Sequence, residues 1–282
     1  MTFRASIQPP DAREIYAIHE ERDAGLSPSQ IGVRHNLPPV AIQQFFRPRP
    51  NTTLPTPFEL TKSQKSPSLA IPLYWLGFIT ASGRVYFRSD QRTVVLSLDS
   101  GDLEFAQLMV RDLLRTHASY ELCLSSHDGH QAYIRDRDMG EALLHWGVTT
   151  DPRETGLPVD YIPGVMLAHF LRGLVEGQVH FPPFGGRNGG VNPSARVQRV
   201  TIPGSRGFTE ALRQRLEAAS RAMRGQVEPS DSEETGVLVY HGTAARALLH
   251  FAYHHPLRSS PRAEGLARTF TSPGSRLQPA DS

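Results

Sequence analysis

Two short apolar segments, each punctuated by small residues, constrain the fold of this chain more than any other feature. They lie at residues 75–83 and 170–178, and each reads as the end of an apolar helix followed directly by a β-like stretch. Two helices approach closely only where small side chains line their contact. Such residues recur at matching positions in the two segments: Gly77, Ala81, Gly173 and Gly177. The pattern predicts two related halves that pack together through these helices.

The elements after each segment match in order. The first copy is predicted as a helix ending at Ser82, strands at 84–89 and 92–98, a helix at 103–116, a strand pair around the turn 127–129, and a helix at 138–146. The second is predicted as a helix ending at Gln178, strands at 179–184 and 196–202, a helix at 209–224, a strand pair around the acidic loop 228–234, and a helix at 243–253. Both closing helices contain Ala-Leu-Leu-His followed by an aromatic residue. The predicted fold class is α+β, with two pseudo-symmetric αββαββα repeats.

The two segments resemble the paired signature helices of LAGLIDADG homing endonucleases, and the resemblance covers residues 69–255. It implies a saddle that binds double-stranded DNA, with both signature helices ending at its centre. In that family the last acidic position of each signature is a carboxylate that binds the catalytic metal. Here those positions hold Ser82 and Gln178. Because hard cations need carboxylate oxygens, we predict no cleavage, no bound metal and no cofactor.

The strands that leave the signature helices are predicted to form the DNA-facing surface. Alternation puts Arg84, Tyr86 and Arg88 on one side of the first strand, with Val85 and Phe87 on the other. In the second copy Arg196 and Gln198 oppose Val197 and Arg199, so that strand is less cleanly two-sided. A glycine-rich stretch before it reads as a lengthened hairpin. The DNA-binding residues expected in the repeats are Arg84, Tyr86, Arg88, Arg92, Arg187, Asn188, Arg196 and Gln198. A solvent-exposed outer face without a ligand is the alternative interpretation.

Residues 11–47 read as three short helices. Ser27 precedes Pro28 as a helix cap, Asn36 suits a left-handed turn, and Pro39 begins the third helix. The string from 29 to 46 is similar to the helix-turn-helix of many bacterial regulators and recombinases. Gly32 replaces the usual alanine at the helix contact, a size that the contact tolerates. The resemblance implies DNA contacts from the early turns of the third helix and the residue after it: Val40, Gln43, Gln44 and Arg47. A protein-binding helical adaptor is the alternative.

The chain is divided by composition. We predict a small all-α helix-turn-helix domain at 1–48, a proline-rich basic linker at 49–68, repeats at 69–165 and 166–255, and a disordered tail at 256–282. The linker is expected to be stiff and extended rather than packed. Its charges Arg49, Lys62 and Lys65 either follow a phosphate backbone or keep the linker solvated.

Composition limits the remaining choices. The net charge of +2 is too small to argue for nucleic acid by itself, but all lysines lie in the linker and arginine supplies the other positive charges. A single cysteine, Cys123, and the lack of a long apolar run or leader predict a cytoplasmic, nucleoid-associated protein without a membrane partner. We expect a monomer with an internal pseudo-two-fold axis.

The predicted function is sequence-specific binding of double-stranded DNA without catalysis, as in a transcriptional regulator derived from a homing endonuclease. Two alternatives stay open at this point. One is an active or nicking endonuclease that uses an unusual ligand such as Glu176, whose counterpart in the first copy is the neutral Thr80. The other is a protein-interaction scaffold that has lost DNA binding.

Overall fold

The computed structural model describes residues 12–45, 51–57, 60, 69–88, 91–98, 103–115, 119–125, 129–154, 156–178, 199–230 and 232–254. Three short helices come first: α1 (Ala12–Asp23), α2 (Pro28–Arg34) and α3 (Pro39–Phe45). The first repeat comprises α4 (Ala70–Ser82), β1 (Gly83–Arg88), β2 (Gln91–Leu98), α5 (Leu103–Leu113), β3 (Ser119–Ser125), β4 (Gly129–Arg135) and α6 (Arg137–His145). The second repeat comprises α7 (Leu167–Glu176), β5 (Arg199–Ser205), α8 (Arg206–Ala219), β6 (Gln226–Pro229), β7 (Thr235–His241) and α9 (Gly242–Tyr253). Three 3-10 turns join the repeats: Pro152–Glu154, Val159–Tyr161 and Gly164–Met166.

The mixture of helices and antiparallel sheets confirms the predicted α+β class, and the predicted elements agree with the observed ones to within a few residues. The largest shift is in α8, which runs from Arg206 to Ala219 rather than from 209 to 224. Ser205 accepts a hydrogen bond from the Phe208 N–H and so caps the helix earlier than predicted. The strand predicted at 179–184 lies outside the described residues, as does the tail beyond 254. In the part of the chain that the structure covers, no helix combines the length and apolarity needed to cross a membrane.

The two central helices, α4 and α7, pack through their glycines. A Cβ added to Gly77 would collide with the Phe170 carbonyl oxygen, and one added to Gly173 would collide with the Tyr74 carbonyl oxygen. The collisions are reciprocal, as a two-fold relation between the helices requires. Because the obstacle is backbone in both cases, a side chain cannot be accommodated by a rotamer change.

Gly177 extends the same contact toward the C-terminal ends of the helices. A Cβ there would lie 2.5 Å from the Phe78 carbonyl oxygen and 2.9 Å from the Ala81 Cβ. The small residues that the sequence places on both helices thus line their contact along its length.

The described strands of the two sheets follow one topology. The first has the strand order β1-β2-β4-β3 and the second has β5-β7-β6, with every described pairing antiparallel. In the second repeat β5, β7 and β6 therefore take the places of β2, β4 and β3. One face of each sheet packs on its helices, and in the first sheet this buried face carries Val85, Val94, Ala132 and Ile134. The opposite face, turned away from the helices, is here called the outer face.

The N-terminal helical unit, α1 to α3, has a small core of its own made of Ile18, Ile31, Leu37 and Ile42. Ser27 and Gln30 form a reciprocal capping box at the start of α2. Asn36 adopts the left-handed conformation, with a φ of 52°, in the turn before α3. The unit therefore forms a short helix, a tight turn and a second short helix.

Gly32 lies where α2 meets this turn, and the contact there is closer than the sequence suggests. A Cβ at Gly32 would lie 2.5 Å from the Leu37 carbonyl oxygen, a separation that carbon and oxygen do not adopt. The expectation that the contact merely tolerates a small residue is corrected, because the structure leaves room for glycine alone.

The described part of the segment predicted as an unpacked linker is packed. Its described residues, 51–57 and 60, lie against the first repeat, and Leu54 and Leu60 belong to the main hydrophobic core. The Thr53 N–H donates to the Leu113 carbonyl oxygen at 2.7 Å, and the Trp146 Nε1 donates to the Pro55 carbonyl oxygen at 2.5 Å. The expectation that the segment stands free fails because its leucines and threonines find partners far along the chain.

Candidate nucleic-acid interface

The outer face of the first sheet begins with β1. Arg84 and Tyr86 are exposed, whereas Val85 between them is fully buried, as the alternation of the sequence predicts. The antiparallel register sets Arg84 opposite Val95 and Tyr86 opposite Thr93. Among the described residues Arg84 forms no ion pair, so its guanidinium is available to a ligand. Asp151 lies nearby, in the segment that joins the repeats. Hydrogen bonds from Arg153 lower the pKa of Asp151, and the positive charge of Arg84 lowers it slightly further.

Strand β4, which pairs with β2, adds polar residues that the sequence analysis did not select. Gln131 and Tyr133 are half-buried and Arg135 is exposed, while Ala132 and Ile134 between them are fully buried. The Tyr133 hydroxyl donates to the Gln131 Oε1 at 2.7 Å. The same period of two that marked β1 is present in β4 and is the signal that identifies these residues.

The register gathers these side chains into two rows across three strands. Val95 lies between Arg84 and Tyr133, and Thr93 lies between Tyr86 and Arg135. Each row thus carries one arginine, one tyrosine and one small or β-branched residue. Arginine guanidinium groups and tyrosine hydroxyls form hydrogen bonds to phosphates and to base edges. The outer face of the first sheet has the chemistry of a nucleic-acid surface.

The remaining DNA-binding candidates of the first sheet lie next to the turn between β1 and β2. Arg88 ends β1 opposite Gln91, and Arg92 lies in β2 opposite Phe87. Their backbones continue the two strands toward the β1–β2 turn, and their side chains lie outside what the structure describes.

The outer face of the second sheet is different. Arg199 is exposed and its Nη2 lies 3.1 Å from the Glu228 Oε2, so its charge is neutralised within the sheet. Val200 and Ile202 are buried, which places Arg199 on the outer face and corrects the assignment that set it among the inward residues. Glu233 and Glu234 are exposed in the loop between β6 and β7. Arg187, Asn188, Arg196 and Gln198 lie outside the described residues.

The two positions that carry metal-binding carboxylates in the resembled family lie where the signature helices end. Ser82 is the last residue of α4, and its hydroxyl donates to the Phe78 carbonyl oxygen at 2.8 Å. Gln178 follows α7, and its Nε2 is buried with no hydrogen-bond partner in the described structure. A serine hydroxyl that is committed to its own helix and a neutral amide offer a divalent cation little attraction.

Glu176, the residue considered as a substitute ligand, lies in a buried network. Its Oε2 accepts a hydrogen bond from the Tyr74 hydroxyl at 2.7 Å, and its Oε1 accepts one from the Tyr253 hydroxyl at 2.8 Å. The network joins α4 of the first repeat to α7 and α9 of the second. Both carboxylate oxygens are therefore engaged with tyrosines. Thr80, the equivalent residue in α4, donates to the Leu76 carbonyl oxygen at 2.7 Å within its own helix.

Arg172 supplies the positive charge of this network. It is 1% exposed, its Nη1 donates to the Ala252 carbonyl oxygen at 3.3 Å, and its guanidinium carbon lies 5.3 Å from the centre of the Tyr74 ring. Burial lowers the pKa of Arg172, and the charge of Glu176 opposes that effect. Burial raises the pKa of Tyr74 and of Tyr253, and the charge of Glu176 raises both further. An arginine, a carboxylate and two neutral tyrosines form a buried polar unit, in which the Arg172 Nε has no hydrogen-bond partner among the described residues.

No group of three or more histidine, cysteine, aspartate or glutamate side chains in the described ranges is placed to hold a metal ion.

In the helical unit, the predicted reading residues lie at the start and middle of α3. Val40 is 64% exposed and Gln43 is exposed, while Ile42 between them is buried in the core of the unit. The Gln44 side chain and the whole of Arg47 lie outside the described structure. Val33, on α2, is exposed as well. The exposed surface of α3 thus combines an apolar residue with a glutamine.

No protein-family model matches the sequence, and no curated protein is significantly similar to it. Solved structures with a similar course of the backbone include mesophilic variants of the homing endonuclease I-DmoI, with 14% identity over 71% of this chain and 98% of that one, at a TM-score of 0.49. I-DmoI in complex with DNA and Ca gives 13% identity over 70% and 95%, at a TM-score of 0.48. The N-terminal LAGLIDADG domain of DUF199/WhiA gives 17% identity over 67% and 84%, at a TM-score of 0.41. These likenesses concern the fold alone.

Proposed function

We propose that this protein binds double-stranded DNA in a sequence-specific manner without cleaving it, and that it acts as a transcriptional regulator. The observation that carries the proposal is the outer face of the first sheet. There Arg84, Tyr86, Tyr133 and Arg135 stand in two rows at exposed or half-buried positions of one face. A β-ribbon of this kind fits the major groove, where arginine reads guanine and grips phosphate.

The centre of the molecule supports binding without cleavage. Phosphodiester cleavage with metal ions requires carboxylates that face the scissile phosphates. Ser82 and Gln178 carry no charge, and both oxygens of Glu176 accept hydrogen bonds from buried tyrosines. Releasing Glu176 toward a metal would leave Arg172 buried without its countercharge, which costs several kcal/mol. This cost disfavours the endonuclease that uses Glu176.

The proposal is tested by selecting bound duplexes from a random DNA pool with the full chain, followed by footprinting and a salt titration. We expect a defined site, with log affinity falling linearly with log salt at about 0.9 per phosphate contact. Arg84→Ala should weaken binding, and Glu104→Ala on the helical side should not. Negligible binding at low salt would refute the proposal and favour the protein-interaction scaffold.

The absence of cleavage is tested separately on the selected duplex in magnesium and in manganese. We expect the unaltered protein to leave both strands intact. The variant Ser82→Asp with Gln178→Asp restores two carboxylates at the helix ends, and nicking by this variant alone would identify their loss as the cause of inactivity. Cleavage by the unaltered protein would overturn this part of the proposal.

A further inference from the structure

The segment predicted as a linker is anchored to the first repeat near its start, at Asn51. The Arg115 N–H donates to the Asn51 carbonyl oxygen at 2.8 Å, and the Asn51 N–H donates to the Asp138 Oδ2 at 3.3 Å. The Asn51 side-chain amide also donates to the Asp136 carboxylate, whose pKa is raised chiefly by burial. Both backbone groups and the side chain of Asn51 are therefore engaged, so the chain is fixed at this point.

The anchor leaves a short connection to α3. Only residues 46–50 lie between Phe45, where α3 ends, and Asn51. Six extended steps span at most about 21 Å, and the part of α3 from Val40 to Phe45 adds about 8 Å. Val40 thus lies within about 30 Å of the anchor, which is less than one turn of duplex, about 34 Å. A free linker over the predicted residues 49–68 would have allowed α3 to move much farther from the first repeat.

A second contact restrains the helical unit. His19 of α1 and His145 of α6 are both buried, and their rings meet edge to face with centroids 6.3 Å apart. The shared core of Ile18, Ile31 and Ile42 couples α1 to α2 and α3. The unit is therefore held to the first repeat at two places, through α1 and through Asn51.

We propose that α3 and the outer face of the first sheet read one continuous stretch of DNA at a fixed spacing, with the base pairs of α3 flanking those of the first repeat. This inference rests on the proposed function and specifies its ligand as an asymmetric duplex site. Gln43 has the donor and acceptor pair that matches adenine, and Val40 offers an apolar contact to a thymine methyl group.

The spacing is tested on the duplex selected by the full chain. Footprints of the unaltered protein, of Val40→Ala with Gln43→Ala, and of Arg84→Ala locate the base pairs that depend on each surface. We expect those of α3 to lie within one helical turn of those of Arg84, at one end of the footprint. Inserting five base pairs between them should weaken binding about tenfold, to the level of Val40→Ala with Gln43→Ala, because the contacts of α3, worth about 1.4 kcal/mol for a tenfold change, are lost.

A matched variant separates fixed spacing from other effects of the longer duplex. Insertion of twenty Gly/Ser residues after Phe45, combined with His19→Ala, releases both restraints, and we expect it to bind the spaced duplex better than the unaltered protein does. Equal affinity of the unaltered protein for the original and spaced duplexes would overturn the inference while leaving DNA binding intact. An α3 footprint at the end opposite to that of Arg84 would also overturn it. Failure to select any duplex would instead refute the proposed function.

Discussion

The two repeats have the same topology and different chemistry. Their central helices meet through reciprocal glycine contacts, and β2, β4 and β3 correspond to β5, β7 and β6. The outer face of the first sheet presents Arg84 without an ion pair in the described structure, whereas Arg199 on the second is paired with Glu228. Packing therefore preserves the symmetry of the fold, while the surfaces are free to diverge.

The interior shows a second difference between the repeats. The second carries Arg172 and Glu176 in its central helix, and neither has a charged counterpart in α4. Glu176 reaches across the repeat boundary to Tyr74. The pseudo-symmetric packing therefore contains one asymmetric polar connection.

The largest effect is expected at the glycine contact. Gly173→Ala and Gly77→Ala should each destabilise the protein by about 3 kcal/mol or more, because the new Cβ meets a backbone oxygen that cannot rotate away. Gly207→Ala is the matched control, since it lies in a helix with open space around it and should stabilise by about 0.5 to 1 kcal/mol. Urea unfolding measures all three. If Gly77→Ala were tolerated and Gly173→Ala were not, the reciprocal contact would be wrong.

The next effect concerns the asymmetric network. Glu176→Gln should cost about 2 to 3 kcal/mol, because it leaves the Arg172 charge buried without a countercharge. Thr80→Ala at the equivalent position of α4 should cost about 1 kcal/mol, since it removes one bond within a helix. Denaturant titration at neutral pH compares them. Equal losses would show that the network adds nothing beyond an ordinary buried hydrogen bond.

The raised pKa values of the tyrosines in this network predict that the free energy of unfolding falls at alkaline pH. The pKa of Tyr253 is raised above its ordinary value of 10.0, so the unfolded chain ionises before the folded one. The stabilisation is fully present below about pH 10 and declines as the pH rises toward the folded pKa. Tyr253→Phe should cost about 2 kcal/mol at pH 7, and the difference from the unaltered protein should shrink above pH 10. A constant difference across that range would contradict the assignment.

The surfaces are compared through DNA binding. Arg84→Ala should weaken affinity about tenfold through loss of a charged contact, while Arg199→Ala should change it by less than about twofold because Glu228 already neutralises Arg199. Binding isotherms at one fixed salt concentration decide between them. A larger loss at Arg199 would reverse the roles assigned to the two sheets.

The smallest effect is a gain. Glu228→Gln frees Arg199 and should raise DNA affinity about twofold, with a salt slope steeper by about 0.9 if Arg199 then meets a phosphate. Glu104→Gln, on the exposed side of α5, makes the same change in net charge without breaking an ion pair of the described structure, and it should leave affinity unaltered. A gain of similar size in both variants would reflect net charge rather than the release of Arg199.

Much of the fold could be predicted from local patterns. The alternation around Val85 predicts the faces of β1, and the cap at Ser27 and the left-handed Asn36 predict the turns of the helical unit, because each depends on neighbours a few residues away. The small residues of α4 and α7 predict that the helices meet. The same alternation predicts the outward residues of β4, because the apolar Ala132 and Ile134 mark its buried face.

The sequence by itself determined which residues form helices and strands, and that the carboxylates expected at Ser82 and Gln178 are absent. Only the tertiary structure decided where Glu176 points, because its tyrosine partners lie 102 and 77 residues away along the chain. The same holds for the segment after Asn51, which composition marks as a linker and which distant backbone groups hold in place. Local periodicity depends on near neighbours, whereas burial and anchoring depend on groups that only folding brings together.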